Sequence, residues 1–399
     1  MGKRSVLVLQ LASGLGAMSY GTIFTIVDDL RDGYGISEAR LGLIMGVGFF
    51  AGFVANVFLA PLADRGHAKR MIVIGIVVQL LGNLAFGFAH SFLPLFLARA
   101  VLGIGGGLIY PAVRRIVILS DPANMGANLG RMLSVDVGGF TLGPMLSAVT
   151  VSTLGIASPF VLISAMMLLV LVRVARIHVS EADTDGAPRQ RLAFDLFAQR
   201  AFAGTITMGS ALFVLIGTFD ALWSMMMSDM NAAAWVANLG ISLFALPMLF
   251  LGPVGGRFTQ DVGPFKASIG GLTLGAGILA MYGILPSPYP MLVFGVMHGV
   301  IDGMTVTGTS SAIAMIVPKE RIASAQGMQG ATQTIIAGAA SVVAGGAYGA
   351  FGRTTTFVSA AVLMLVLIAT GTWMVREHIH LRGTAGLDPV SGSAVEPLL

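Results

Sequence analysis

Five ionisable residues stand inside otherwise apolar runs of this 399-residue chain: Arg99, Asp136, Asp220, His298 and Asp302. An ionised group at the centre of a bilayer costs about 2.5–3.5 kcal/mol on insertion scales, so such residues are usually kept for function. His298 and Asp302 stand at i and i+4, one turn apart on a shared helix face. A neighbouring carboxylate favours the protonated imidazole and burial opposes it, which makes the pair a candidate proton site. The alternative is a packed pair that fixes its helix against a neighbour. Asp136 and Asp220 are further proton-carrying candidates. Arg99 cannot lose its proton. It is suited either to a charge pair with a carboxylate or to an anionic substrate headgroup.

Other chemistries are excluded. The chain has no cysteine, which removes disulfides and thiolate metal sites. The glycine run at 103–107 lacks the following Lys-Ser/Thr of a phosphate loop and lies in an apolar run. No nucleophile–base pair or metal cluster is present, so neither an enzyme nor a bound cofactor is expected. The net charge of +4 comes from cations set between apolar runs. A basic stripe with interleaved aromatics, as nucleic acid requires, is missing.

The elements that must position these residues follow from composition. Hydrophobic residues make up 55% of the chain and charged residues 11%, against roughly 25% charged in soluble domains. The 53 glycines suit helices that pack closely in lipid. Apolar segments long enough to span a bilayer cover 5–27, 38–61, 71–89, 93–118, 128–152 and 157–176. A second set covers 200–227, 231–256, 265–285, 289–316, 323–349 and 353–375. Backbone polar groups cannot go unpaired in hydrocarbon, so these are helices. With the N-terminus inside, 19 of the 23 Lys and Arg face the cytoplasm, which predicts N-in, C-in topology.

The first and second sets echo each other. LAPLADR at 59–65 is matched by LGPVGGR at 251–257, and Gly103, Gly107 and Pro122 by Gly299, Gly303 and Pro318. Both repeats contain an even number of spans and so keep one membrane orientation. The expected fold is an all-α membrane protein, with twelve transmembrane helices in two pseudo-symmetric six-helix bundles. The bundles are 1–176 and 200–376. A cytoplasmic linker covers 177–199, with a short amphipathic helix expected from Leu192 to Phe202, and 377–399 reads as a disordered cytoplasmic tail.

Three motifs in order resemble those of the major facilitator superfamily. Ala60-Pro61-Leu62-Ala63-Asp64-Arg65-Gly66-His67-Ala68-Lys69-Arg70 resembles its G-x-x-x-D-R-x-G-R-K-type loop, with Ala60 for the first glycine and the later basic residues displaced by one. Arg99 followed by Gly103-Ile104-Gly105-Gly106-Gly107 resembles its intramembrane arginine ahead of a glycine run. Gly139-x-x-x-Gly143-Pro144 resembles its antiporter motif on helix 5, with Ser147-Ala148 in place of the closing glycines. The chain as a whole is similar to the twelve-helix drug:proton antiporter branch.

The resemblance implies roles. Asp64, with Arg65 and Arg70, would latch the halves in the outward-facing state. In the second half Gly256 stands where Asp64 would be, so a matching latch is expected to be weaker or absent. Gly139, Gly143 and Pro144 would give a bent, closely packed helix 5 between the halves. The expected protein is a monomeric, multi-pass secondary active transporter of a bacterial-type inner membrane, exporting small lipophilic or amphiphilic molecules against protons. A lipid or lysolipid transporter and a non-transporting membrane receptor or scaffold are the alternatives.

Overall fold

The computed structural model describes residues 3–179 and 192–384. The first half is built from α1 (Lys3–Thr25), the short α2 (Val27–Tyr34), α3 (Glu38–Leu62), α4 (Ala68–Gly87), α5 (Phe92–Ser120), α6 (Met125–Leu154) and α7 (Ala157–Arg176). The second half contains α8 (Arg200–Asp229), α9 (Ala234–Val262), α10 (Pro264–Ile284), α11 (Pro288–Thr305), α12 (Gly308–Ile316) and α13 (Ile322–Val375).

These elements account for twelve spans. The 54-residue α13 bends at Gly352, whose φ of 76° and ψ of 176° suit a residue without a Cβ. That break separates the last two spans. The tenth span is also split, into α11 and α12. Pro61, Pro111, Pro144, Pro247 and Pro253 all lie inside helices. Membrane helices tolerate proline where neighbouring groups satisfy the freed backbone.

Each half packs around its own core. One runs from Leu9 and Ile72 through Ile109, Val113 and Ile163, and it extends across to Ile322 and Ala325 at the start of α13. The other gathers Met208, Leu222, Tyr282, Met291 and Phe357. Outward faces carry exposed apolar residues such as Phe50, Leu169, Phe250 and Val342, the arrangement expected of helices solvated by lipid.

Two expectations change at the end where both termini lie. The amphipathic helix expected at 192–202 is a 3-10 turn, Phe194–Ala198. Its Leu196 is buried and its Phe194 exposed, and the chain enters α8 at Arg200. Residues 377–384, expected to be disordered, are folded back on α9. Gln260 Nε2 donates to the Gly383 carbonyl at 3.1 Å, and the Gly383 amide donates to the Gln260 carbonyl at 2.9 Å. The remaining tail, 385–399, and linker residues 180–191 lie outside the described residues.

Candidate functional site

The halves are joined at the termini end by a buried carboxylate. Asp64 sits in a π-helical turn, Ala63–His67, where Gly66 adopts a φ of 78°. This turn carries the chain from α3 into α4 and points Asp64 at the first turn of α13. Its oxygens accept from the Ala323 amide at 2.9 Å, the Ser324 amide at 2.7 Å and the Ser324 hydroxyl at 2.6 Å. Arg115 Nε, from the end of α5, donates to the same carboxylate at 3.1 Å. Asp64 therefore caps a helix belonging to the other half, where free N–H groups and the helix dipole favour an anion. Hydrogen bonds to charged groups contribute about 1.5–3 kcal/mol each, so this is a strong but breakable clasp. Arg65 is half-buried and Arg70 exposed; Arg115 supplies the pairing cation.

A second seam runs beside it between α6 and α9. A Cβ on Gly130 would overlap the Gly252 carbonyl, and one on Gly256 would overlap the Gly126 carbonyl. Gln260 bridges the seam, accepting from the Gly126 amide at 2.7 Å and donating to the Pro122 carbonyl at 2.9 Å. Gly256 therefore takes no carboxylate role. Its place in the repeat is occupied by direct backbone approach. On the linker side, Arg321 holds Asp195 through two bonds of 2.7 and 3.0 Å.

Beyond this closure lies a cavity of about 310 Å³ between the halves. Its floor is Asn56, Gln326 and Gly330, and its walls include Tyr20, Phe49, Gln79, Tyr110 and Phe140. Arg99 and Arg114 also line it. The Arg99 guanidinium lies over the Tyr20 ring, 4.4 Å from its centroid. The residue is 3% exposed, and its Nε and Nη2 have no hydrogen-bond partner. Asp136, on α6, accepts from Ser13 Oγ at 2.6 Å and lies near enough to Arg114 for their charges to interact.

His298 and Asp302 occupy a different place, inside the second half. His298 Nε2 is 3.6 Å from Asp302 Oδ2, and the Tyr282 hydroxyl is 3.5 Å from His298 Nδ1. The imidazole meets the Phe244 ring edge-on at 5.0 Å. Beside Asp302 is a cavity of about 10 Å³ lined by Ser268, Thr305 and Thr309, enough for a single water. Asp220 lies on α8, and its side chain is outside the described residues. Among the described residues, no group of three or more His, Cys, Asp or Glu is placed to hold a metal.

The profile of the Major Facilitator Superfamily matches residues 9–222 and 201–391. The chain belongs to the major facilitator superfamily. Similar curated proteins include the quinolone resistance protein NorA of Staphylococcus aureus (strain MSSA476), 22% identical over 231 residues, which cover 57% of this chain and 59% of NorA. The chain thus spans less than two thirds of that relative. The multidrug resistance protein MdtG of Serratia proteamaculans (strain 568) is 22% identical over 316 residues, 75% of this chain and 76% of MdtG.

Solved structures share the superfamily fold. The human organic anion transporter MFSD10 aligns with a TM-score of 0.76 at 14% identity, covering 92% of this chain and 99% of its own. FucP in the outward conformation aligns with a TM-score of 0.75 at 15% identity, covering 92% and 98%. Members of this superfamily are multi-pass membrane transporters.

The helix 5 motif of the superfamily faces the first half. Gly139 packs on the Gly14 carbonyl and Gly143 on the Met18 carbonyl, so they bring α6 against α1 within the first half. Pro144 lies on the same seam, near Gly21, and α6 runs through it unbroken. The face that α6 turns to the second half carries Gly126, Gly130 and Gly138 instead. In the sequence Arg114 and Arg115 are two adjacent cations near the end of an apolar run. Their adjacency on α5 sends one to the cavity and the other to Asp64, a division set by helix rotation.

Proposed function

We propose that this transporter couples proton entry to the export of small lipophilic or amphiphilic compounds, as a monomer in a bacterial-type inner membrane. Both termini are cytoplasmic in this reading, so the closed end is the cytoplasmic gate and the conformation is outward-facing. The observation that carries the reading is the clasp between Asp64 and the start of α13 beneath a cavity lined by both halves. Releasing the clasp lets the bundles rock and exposes the cavity to the other side, which is alternating access. The resistance functions in the names of NorA and MdtG support efflux of small molecules.

The proton site in this reading is His298–Asp302. Among the described residues, no Lys or Arg forms an ion pair with Asp302, so its charge is not held in place by a standing cation. Asp136, by contrast, is bonded to Ser13 and lies by Arg114.

A lipid-transport reading has one observation in its favour. An apolar crevice of about 340 Å³, lined by Val214, Ile336, Val343 and Leu363, opens between α8 and the two arms of α13, where an acyl chain would fit. Purified protein in liposomes with an imposed pH gradient separates the readings. Gradient-driven movement of dyes or drugs supports proton-coupled export. Headgroup-dependent movement of labelled lipids supports the second reading, and inactivity toward both leaves a scaffold.

A further inference from the structure

We propose that the cavity selects amphiphilic anions, with Arg99 as the headgroup site for a carboxylate, sulfonate or phosphate monoester. The inference rests on the cavity being the substrate site. It adds the sign of the substrate's charge.

The first observation is the buried, incompletely satisfied cation. Arg99 stays charged in any protein environment, so burial cannot be relieved by shedding its proton. A buried ion needs a counter-charge and a full set of hydrogen bonds. Nε and Nη2 are buried without a hydrogen-bond partner, while the Tyr20 side chain supplies the guanidinium with one hydrogen bond. Nε and Nη2 form one edge of the planar fork, the edge that matches two oxygens of a carboxylate or phosphate. Gly48 makes room for the guanidinium here, because a Cβ there would come within 2.6 Å of Nε.

The second observation concerns what surrounds it. Among the described residues lining the cavity there are two arginines and no Asp or Glu. Asp136, the carboxylate of this region, is engaged with Ser13 and lies by Arg114. A cavity built for cations would place a carboxylate on its wall; this one presents two permanent positive charges in an apolar setting. The rest of the wall suits the remainder of an amphiphile, with Phe49, Leu102, Phe140 and Phe213 as apolar surface.

The third observation is the aromatic partner of the guanidinium. Tyr20 covers the guanidinium with its ring face and packs edge-on against Phe49 at 5.3 Å. A ring face is a weaker partner for a guanidinium than a charged oxygen making two hydrogen bonds. Tyr20 is half-buried on the cavity wall, so its ring can keep the face of the guanidinium while an entering anion takes the Nε–Nη2 edge.

The test is equilibrium binding to the full chain in phosphatidylcholine nanodiscs, subtracting partition into empty discs. The probes are 1-pyrenebutyrate, 1-pyrenebutanol and 1-pyrenebutylamine, which share one apolar body and differ in charge. Wild type is expected to bind the acid at least tenfold tighter than the alcohol or the amine. Arg99→Gln should lose that preference and hold the alcohol within twofold, whereas Arg99→Lys should retain part of it. An amine that binds as tightly as the acid, no saturable binding of the acid, or an unchanged preference in Arg99→Gln overturns the proposal. If Arg99→Gln does not give monodisperse protein, the wild-type ranking and Arg99→Lys decide. Gradient-driven transport of a cationic dye without binding of the acid would refute the anion site and leave proton-coupled export standing. Preferential acid binding with no gradient-driven movement would do the reverse.

Discussion

The Asp64 carboxylate and the Ser324 amide, 2.7 Å apart, belong to opposite halves of the molecule. Asp64 is fully buried between them, and Arg115 completes its coordination from α5. The contact is made of charge-assisted hydrogen bonds at a helix N-terminus rather than of apolar surface. It therefore joins the halves through a few directional bonds rather than through a broad apolar contact.

Asp64→Asn should weaken this clasp without touching the cavity. The amide keeps one acceptor and loses the charge that faces Arg115 and the α13 dipole. Losing one charge-assisted bond of about 1.5–3 kcal/mol moves a two-state equilibrium by roughly tenfold or more. Turnover in proteoliposomes should fall by about that factor, with expression and substrate binding near wild type. Wild-type turnover would remove Asp64 from the gate.

Gly130→Leu should hold the closed end apart, because no side chain fits between Gly130 and the Gly252 carbonyl. Spin labels on the exposed positions Arg173 and Lys266, at the termini ends of α7 and α10, report the separation of the halves. The chain's lack of cysteine allows Arg173→Cys and Lys266→Cys to be labelled directly. Double electron–electron resonance should show longer distances in Gly130→Leu than in its parent. Identical distributions would mean that α6 and α9 part by another route.

Gly139→Ala should destabilise the first half, since its Cβ would overlap the Gly14 carbonyl. Overpacking of this kind costs about 1–3 kcal/mol, seen as a lower midpoint of thermal unfolding in detergent. Gly345→Ala, where a Cβ meets no atom within 4 Å, should be neutral or slightly stabilising through helix propensity. Equal midpoints for the two variants would contradict the α1–α6 packing described above.

Asp302→Asn should abolish uphill transport driven by a proton gradient while sparing exchange at zero gradient. A permanently neutral site still permits rocking of the bundles but carries no proton. His298→Gln should impair coupling in the same assay by a smaller factor, because the ring sits 3.6 Å from the carboxylate without being the charge itself. Full uphill transport by Asp302→Asn would make the pair structural and move the test to Asp136 and Asp220.

Much of this protein is legible along the chain. Span number, the two halves and the superfamily follow from apolar runs and from motifs local to single helices, since lipid forces each run to satisfy its own backbone. Asp64 and Arg99 stand out the same way, by residue type in a local pattern. What those residues touch was not legible. Asp64 meets Ser324 across 260 positions of sequence. Arg115 rather than Arg65 or Arg70 pairs with it, because the helix rotations at the crossing of α3, α5 and α13 decide which cation arrives. The glycines at 139 and 143 carry a family spacing, yet only the packing shows that they face α1 while Gly126 and Gly130 face α9. Likewise the sequence places His298 and Asp302 on one helix face, and the tertiary structure turns that face into the second half instead of toward the cavity. Periodicity within a helix is a local property of the chain. The neighbour that each face meets depends on how every other helix packs.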